Sequence, residues 1–118
     1  MDSIVKKSLL FDFYGELLTD HQKKVYNEYI QNDLSVTEMA GLLGISRQGA
    51  HDMIRRCEKI MNDYESRLGL LGHYGNVKKM VAEIQRCAGE LRECRDPAEA
   101  EKKIARIAKI SGDILEEY

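Results

Sequence analysis

The sequence predicts an all-α protein, and three observations indicate this class. The chain has a single proline among 118 residues, at Pro97, and it contains no tryptophan. Long runs of β-branched residues are absent. Apolar residues recur instead at spacings of three and four along most of the chain, which is the period of an amphipathic helix. A chain of this length forms one domain, or one small domain with a helical extension.

Two helices separated by a short break are expected at the N-terminus. The first covers Asp2 to Tyr14, and Gly15 to Leu18 interrupts the pattern. Thr19 and Gln22 form a candidate capping box that begins the second helix. The turn residues Asn32 and Asp33 end it. Apolar side chains available for packing are Ile4, Val5, Leu9, Leu10 and Phe13 in the first helix, and Val25, Tyr26, Tyr29 and Ile30 in the second.

The next segment has the pattern of a helix-turn-helix. Ser35 and Glu38 have capping-box spacing, so a helix should begin at the residue after Ser35. Gly44 stands where that helix needs a left-handed residue to end, and Ile45 is placed to pack beneath the turn. Ser46 can cap the second helix, which should run to about residue 68. Its buried stripe is expected to comprise Ala50, Met53, Ile54, Cys57, Ile60, Met61 and Tyr64.

Polar side chains occupy the opposite side of this second helix and predict a nucleic-acid interface. A helix in the major groove uses residues near its N-terminus to contact base edges, for which arginine and glutamine have suitable donors and acceptors. We expect contacts with bases from Arg47, Gln48 and His51, and with phosphates from Arg55, Arg56 and Lys59. Thr37 can contact the backbone from the preceding helix, and Ser46 at the cap completes the candidate set.

Two features leave other interpretations open. Polar residues on an outer face are typical of any solvated helix, and Arg55 could pair locally with Asp52 or Glu58. Gly49 is unusual inside a recognition helix, because glycine costs about 1 kcal/mol there relative to alanine. It either allows a close approach of the backbone or indicates a helix that is not optimised for DNA.

The C-terminal half predicts a glycine-rich hinge followed by a helical hairpin. The segment GLLGHYGN, residues 69–76, lacks the lysine and hydroxyl residue of a phosphate-binding loop and is interpreted as a hinge. Asp96 and Pro97 mark the start of the last helix. The expected apolar stripes are Val77, Met80, Val81, Ile84, Cys87, Ala88, Leu91 and Cys94, then Ile104, Ile107, Ala108, Ser111, Ile114 and Leu115.

The predicted organisation is therefore a helix-turn-helix domain over 1–68, a hinge over 69–76 and a hairpin over 77–118. A two-helix hairpin has little core of its own, so its stripes must be buried against the N-terminal domain or another chain. A homodimer is the economical solution, and it would double the surface that faces nucleic acid. The net charge of −2 is low for a nucleic-acid binder and predicts modest affinity for a single copy.

Several function classes are not expected. Cys57, Cys87 and Cys94 should be reduced and buried, and His21, His51 and His73 show no metal-ligand spacing with them. We therefore expect no metal and no cofactor. No nucleophile or paired-carboxylate arrangement indicates an enzyme. Neither a membrane span nor a signal peptide is apparent, so the expected location is the cytoplasm and no membrane partner is expected.

Two stretches carry a resemblance to known families. LLTDHQKKVYNEYIQNDLSVTEMAGLLGISRQGAHDMIRRCEKIM resembles region 4 of bacterial sigma factors, which implies a helix-turn-helix without a wing and a recognition helix that starts at Arg47. FDFYGELLTD and EMAGLLGISRQGAHD are similar to the YlxM family of Gram-positive bacteria.

The resemblance to the YlxM family also implies a function. It implies a regulatory protein tied to the signal recognition particle pathway, because the family's gene tends to neighbour that of the particle's GTPase. A DNA-binding regulator is thus the first expectation. The alternative is an accessory of the particle that acts through RNA or protein contacts without sequence-specific DNA binding.

Overall fold

The computed structural model describes residues 3–32 and 34–117, and across these ranges it contains helices and no strand. The expectations placed on Asp2 and Asp33 lie outside the described residues. The all-α class is confirmed. The helices are α1 (Ser3–Tyr14), α2 (Asp20–Gln31), α3 (Val36–Leu43), α4 (Arg47–Leu68), α5 (Leu70–Glu93) and α6 (Pro97–Glu117), with a 3-10 turn at Gly15–Leu17 between the first two.

Side-chain caps begin α2, α3 and α4. Both halves of the predicted box form at Thr19, where the hydroxyl accepts from the Gln22 amide at 3.2 Å and the Gln22 side chain accepts from the Thr19 amide at 3.0 Å. The Ser35 hydroxyl accepts from the Glu38 amide at 3.1 Å, which is the serine half of a box. Ser46 begins α4 in the same way. These contacts confirm the predicted starts of α2, α3 and α4.

Left-handed glycines end two of these helices. Gly44 has φ +66° after α3, and Gly69 has φ +65° after α4. Residues with a Cβ rarely adopt this conformation, so both ends depend on glycine.

The chain divides into two compact units, Met1–Leu71 and Gly72–Tyr118. In the first unit α4 is the central helix and contacts α1, α2 and α3. Its buried stripe follows the predicted one, with Met53, Ile60 and Tyr64 half-buried at its edge. One cluster of buried side chains forms the core of this unit and comprises Leu10, Tyr14, Leu18, Val25, Tyr26, Met39, Ile54, Cys57, Met61 and Leu71.

The packed edge of α1 differs from the expected one. Ile4 and Val5 are exposed, whereas Tyr14, which the apolar pattern did not include, is completely buried. The edge runs instead through Lys7, Leu10 and Tyr14, at spacings of three and four. Lys7 can lie there because its ammonium group contacts the Tyr29 hydroxyl at 3.2 Å and Glu58 at 3.3 Å.

The Ile45 side chain was expected beneath the turn, and this is wrong. Ile45 is exposed and reaches over the first turn of α4, where its Cδ1 would lie 3.8 Å from a Cβ at Gly49.

The break expected over 69–76 does not form as such, because α5 begins at Leu70 and residues 70–76 are helical, which leaves only Gly69 between the two helices. The first amides of α5 find acceptors in the core of the first unit. The Leu70 amide donates to the Tyr14 hydroxyl at 3.2 Å, and the Leu71 amide donates to the Glu65 carboxylate at 2.9 Å. Tyr14 in turn donates to the same Glu65 oxygen at 2.5 Å. These contacts satisfy amides that a helix start leaves unpaired.

The second unit is an antiparallel hairpin of α5 and α6. Asp96 caps α6 by accepting from the Ala98 amide at 3.1 Å, and Pro97 is its first residue, as predicted. Three contacts join the two helices and set their register: His73 with Glu117 at 2.6 Å, Glu83 with Arg106 at 3.6 Å, and Glu90 with Lys103 at 3.1 Å.

The predicted stripe of α6 proves to be two stripes. Ile110, which the pattern omitted, is buried, and Ile107 and Ile114 beside it are half-buried. The hairpin itself does not bury Ile104, Ala108, Ser111 and Leu115, because all four are exposed in the single chain.

The cysteines and the α5 stripe agree more closely with expectation. All three cysteines are free; Cys57 and Cys87 are buried, and Cys94 is half-buried. On α5 the outer members of the predicted stripe, Val81 and Ala88, are exposed, and the others apart from buried Cys87 are half-buried.

Within the described part of the chain, no helix is long and apolar enough to cross a membrane.

Candidate nucleic-acid interface

The exposed face of α4 brings four of the eight predicted contact residues into one row. Arg47, His51, Arg55 and Lys59 follow one another at intervals of four residues, and all four are exposed. Positions four apart lie on the same face of a helix, so the row spans roughly 18 Å along the axis.

The residues predicted to contact bases line a shallow depression. Arg47, Gln48 and His51 line it together with Val36 from the start of α3. The spacing of the polar residues did not identify Val36, because its apolar side chain gives no signal for binding. Thr37 is the next residue along α3 and is exposed, but it does not belong to this lining.

Four of the predicted contact residues have no polar partner within the described residues. Arg47, His51, Arg55 and Arg56 make no hydrogen bond and no ion pair there. The local pairing of Arg55 considered from the sequence does not form in this part of the chain. Four side chains, three of them always charged, thus retain their donors for a ligand.

Two other predicted contact residues have partners on α4 itself. The Gln48 amide donates to Asp52 at 3.0 Å, and the Lys59 ammonium group lies 3.3 Å from Asp63. Both contacts are exposed, and such pairs contribute little to stability. They can therefore be exchanged for contacts with a ligand at small cost.

Ser46 acts as the helix cap. Its hydroxyl accepts from the Gly49 amide at 3.0 Å, so this oxygen is engaged at the N-terminus of α4. A Cβ at Gly49 would lie 3.1 Å from the same oxygen. The glycine is thus the third residue of the helix, where the cap needs room, and not an interruption of its middle.

Charges on α4 are unevenly distributed. The first ten residues, Arg47–Arg56, carry three arginines and one aspartate, a net of two positive charges. A second depression, lined by Asp52, Arg55, Arg56, Glu58 and Lys59, follows the first along the helix. The end of α4 that meets the helix-turn-helix turn is therefore the more positive end, and the helix dipole adds to it.

Glu58 lines the second depression, and side chains from two other helices contact its carboxylate. Lys7 lies 3.3 Å from it, and the Tyr26 hydroxyl donates to it at 2.9 Å. Burial, together with the charge of Glu58, raises the pKa of Tyr26 well above its ordinary value, so the hydroxyl keeps its proton and remains a donor. Burial acts to lower the pKa of Lys7, but the Tyr29 hydroxyl, followed by the charge and the hydrogen bond of Glu58, together outweigh it and raise that pKa.

A separate apolar pocket lies between α2 and α3. It has a volume of about 110 Å³ and is bounded on α3 by Met39, Leu42 and Leu43. His21, Lys24 and Glu28 stand at its α2 side, and Leu34 closes it between the helices. None of the predicted contact residues of α4 lines this pocket.

The fold and the exposed face of α4 define a helix-turn-helix protein, a class that binds nucleic acid. The sequence matches, over residues 1–105, the model of the UPF0122 family, described as "Putative helix-turn-helix protein, YlxM / p13 like". The chain belongs to this family, and the resemblance to YlxM is confirmed.

Curated relatives carry the same family name. A UPF0122 protein of Caldanaerobacter subterraneus subsp. tengcongensis is 40% identical over 86 residues, which cover 73% of this chain and 74% of the relative. One from Thermoanaerobacter pseudethanolicus is 36% identical over 108 residues, 92% of each chain. One from Clostridium novyi is 46% identical over 70 residues, 59% of this chain and 61% of the relative.

Proposed function

We propose that this protein binds duplex DNA through the exposed face of α4 and regulates transcription. The observation that carries the proposal is the row of exposed side chains that begins directly after the Gly44 turn, of which Arg47, His51 and Arg55 have no partner in the described residues. Side chains at the start of the second helix are those that reach base edges in helix-turn-helix complexes.

Each residue of the face has a role in this proposal. Arg47, Gln48 and His51 contact base edges from the first depression. Arg55, Arg56 and Lys59 contact phosphates, where positive charge is sufficient. Thr37 and Ser46 contact the sugar–phosphate backbone from α3 and from the cap.

The test is a paired substitution with a matched control. We expect Arg47→Ala with Gln48→Ala to weaken binding to the DNA fragments selected from a genomic library by at least about tenfold, since a bidentate base contact contributes roughly 1–3 kcal/mol. The control is Arg92→Ala with Gln85→Ala, which removes the same two exposed residue types from α5. Equal binding by the two variants and the original protein, measured by fluorescence anisotropy, would show that α4 does not read DNA.

A second candidate function is favoured by the low net charge of −2 and by the apolar pocket between α2 and α3. In it the protein is an accessory of the signal recognition particle that contacts RNA or protein. Pull-down at physiological salt would recover the particle's RNA or GTPase with the tagged protein. Recovery of neither, together with sequence-selective DNA binding, would eliminate this candidate.

A further inference from the structure

Helix α6 has a face that the hairpin does not use. Its inner side, with Ile107, Ile110 and Ile114, is half-buried or buried. About a quarter of the way around the helix lies a second stripe, here called the outer seam, and all of its members are exposed. It consists of Ile104, Ala108, Ser111 and Leu115.

The outer seam has the spacing and composition of a helix-pairing surface. Its intervals are four, three and four residues, which is the heptad spacing of paired helices. Ile104 is 52% exposed and Leu115 is 80% exposed, so the two large apolar members are mainly in solvent. A Cβ at the neighbouring Gly112 would meet nothing within 4 Å, which leaves room for a close approach.

The sizes of its side chains make the outer seam complementary to itself in one orientation. The large residues stand at its ends and the small residues at its centre. A second α6 laid antiparallel places Ile104 opposite Leu115 and Ala108 opposite Ser111. The small central pair allows the helix axes to come close, and the large pairs fill the space at both ends.

The charges of α6 favour the same antiparallel orientation. The segment 102–106 carries the basic side chains Lys102, Lys103 and Arg106, after the acidic Glu99 and Glu101 at the start of the helix, and the last turns carry the acidic Asp113, Glu116 and Glu117. An antiparallel partner brings the basic segment 102–106 of each helix beside the acidic end of the other. A parallel partner would place like charges together, which is unfavourable.

We propose that two copies of this chain associate through the outer seam, with their α6 helices antiparallel about a two-fold axis between Lys109 and Ile110. The contact is isologous, so it closes with two copies. This inference does not rest on DNA binding, although the resulting dimer presents two α4 faces.

The first test is sedimentation velocity at low micromolar concentration without nucleic acid. We expect the original protein to sediment as a dimer, and Leu115→Glu to raise the dimer Kd by at least about tenfold, because it places a charge in an apolar contact. The control is Leu42→Glu, at a leucine of α3 that is 72% exposed, and it should remain dimeric. A monomeric original protein, or a Leu115→Glu variant that dimerises equally well, would overturn the proposal.

The second test establishes the orientation. In a Cys94→Ser background, one batch carries Ala108→Cys and a second, isotope-labelled batch carries Ser111→Cys. After mixing and mild oxidation, the antiparallel seam should give mainly the mixed 108–111 disulfide, identified by mass spectrometry. Predominance of 108–108 and 111–111 disulfides would indicate parallel helices and contradict the proposal.

Discussion

At the scale of single residues, the missing Cβ of Gly49 leaves space for the Ser46 hydroxyl, which accepts from the Gly49 amide at 3.0 Å. An added Cβ would lie 3.1 Å from that oxygen, a tight contact. Gly41, in the interior of α3, differs, because a Cβ there would meet nothing within 4 Å. The two helical glycines are therefore expected to gain different amounts of stability on substitution by alanine.

The residue-scale prediction compares these two positions. Gly41→Ala should raise the free energy of unfolding by up to about 1 kcal/mol through helix propensity. Gly49→Ala should give less than half of that gain, because the methyl group displaces the capping oxygen. Chemical denaturation of both variants and the original protein measures the difference. Equal stabilisation by the two alanines would show that the cap does not constrain Gly49.

The residues that sequence reasoning identified correctly are those with local signals. The caps at Thr19 and Ser46 and the glycine at Gly44 each act within four residues, so their spacing contains the information. The partners of Glu58 and Glu65 could not be found in this way. Lys7 is 51 residues before Glu58, and Tyr14 is 51 residues before Glu65, and only tertiary packing brings them together.

At the scale of elements, the start of α5 depends on a side chain of α1. The Tyr14 hydroxyl accepts from the Leu70 amide and donates to Glu65, which itself accepts from the Leu71 amide. Burial, followed by the hydrogen bond to Glu65, raises the pKa of Tyr14, so the hydroxyl stays protonated. The tyrosine thus replaces the cap that the chain before Leu70 does not provide.

The element-scale prediction removes this hydroxyl. Tyr14→Phe should lower the free energy of unfolding by about 1–3 kcal/mol, because it removes the acceptor of the Leu70 amide and the hydroxyl that donates to Glu65. The amides of Leu70 and Leu71 should also exchange faster with solvent. The control is Tyr64→Phe, whose ring stacks on Tyr14 at 6.2 Å and whose hydroxyl makes no hydrogen bond in the described residues. Similar losses from both variants would contradict the capping role.

The elements of the C-terminal half show where sequence patterns are insufficient. Glycines at 72 and 75 indicated a hinge, but the capped start of α5 keeps these positions helical. On α6, the residues of both stripes fall within one broad apolar arc, so periodicity could not separate them. The contacts of Glu83 and Glu90 with α6 select Ile107, Ile110 and Ile114 as the inner face.

At the scale of the whole molecule, the two units respond to pH in opposite directions. Burial raises the pKa of Tyr14 and of Tyr26 above the ordinary 10.0, so their stabilisation of the first unit is complete below pH 10 and is lost as the pH rises further. The Arg86 hydrogen bond lowers the pKa of Glu83 below 4.5, and the Lys103 hydrogen bond does the same for Glu90. Their stabilisation of the second unit is present above pH 4.5 and is lost below it.

The whole-molecule prediction follows from these signs. On acidification below pH 4.5, the isoleucine methyl resonances of the second unit should lose dispersion before those of the first, and above pH 10 the order should reverse. Methyl NMR can separate the units, because Ile54 and Ile60 report one, and Ile84 and Ile110 report the other. Added salt should weaken the ion pairs and raise the pH of the acid transition. If the isoleucine resonances of both units lost dispersion together at acidic and at alkaline pH, these carboxylates and tyrosines would not control the stability of the units separately.

Each unit contains one buried cysteine whose reaction with a thiol reagent can report the opening of that unit. Cys57 is completely buried in the first unit, and Cys87 is buried in the second. Burial raises the pKa of Cys57, which suppresses the reactive thiolate while the helices remain packed. Alkylation of Cys57 therefore requires the first unit to open, and alkylation of Cys87 requires the second to open. At reagent concentrations where modification is faster than reclosing, the rate at which each cysteine is modified equals the opening rate of its unit, with no engineered label in the chain.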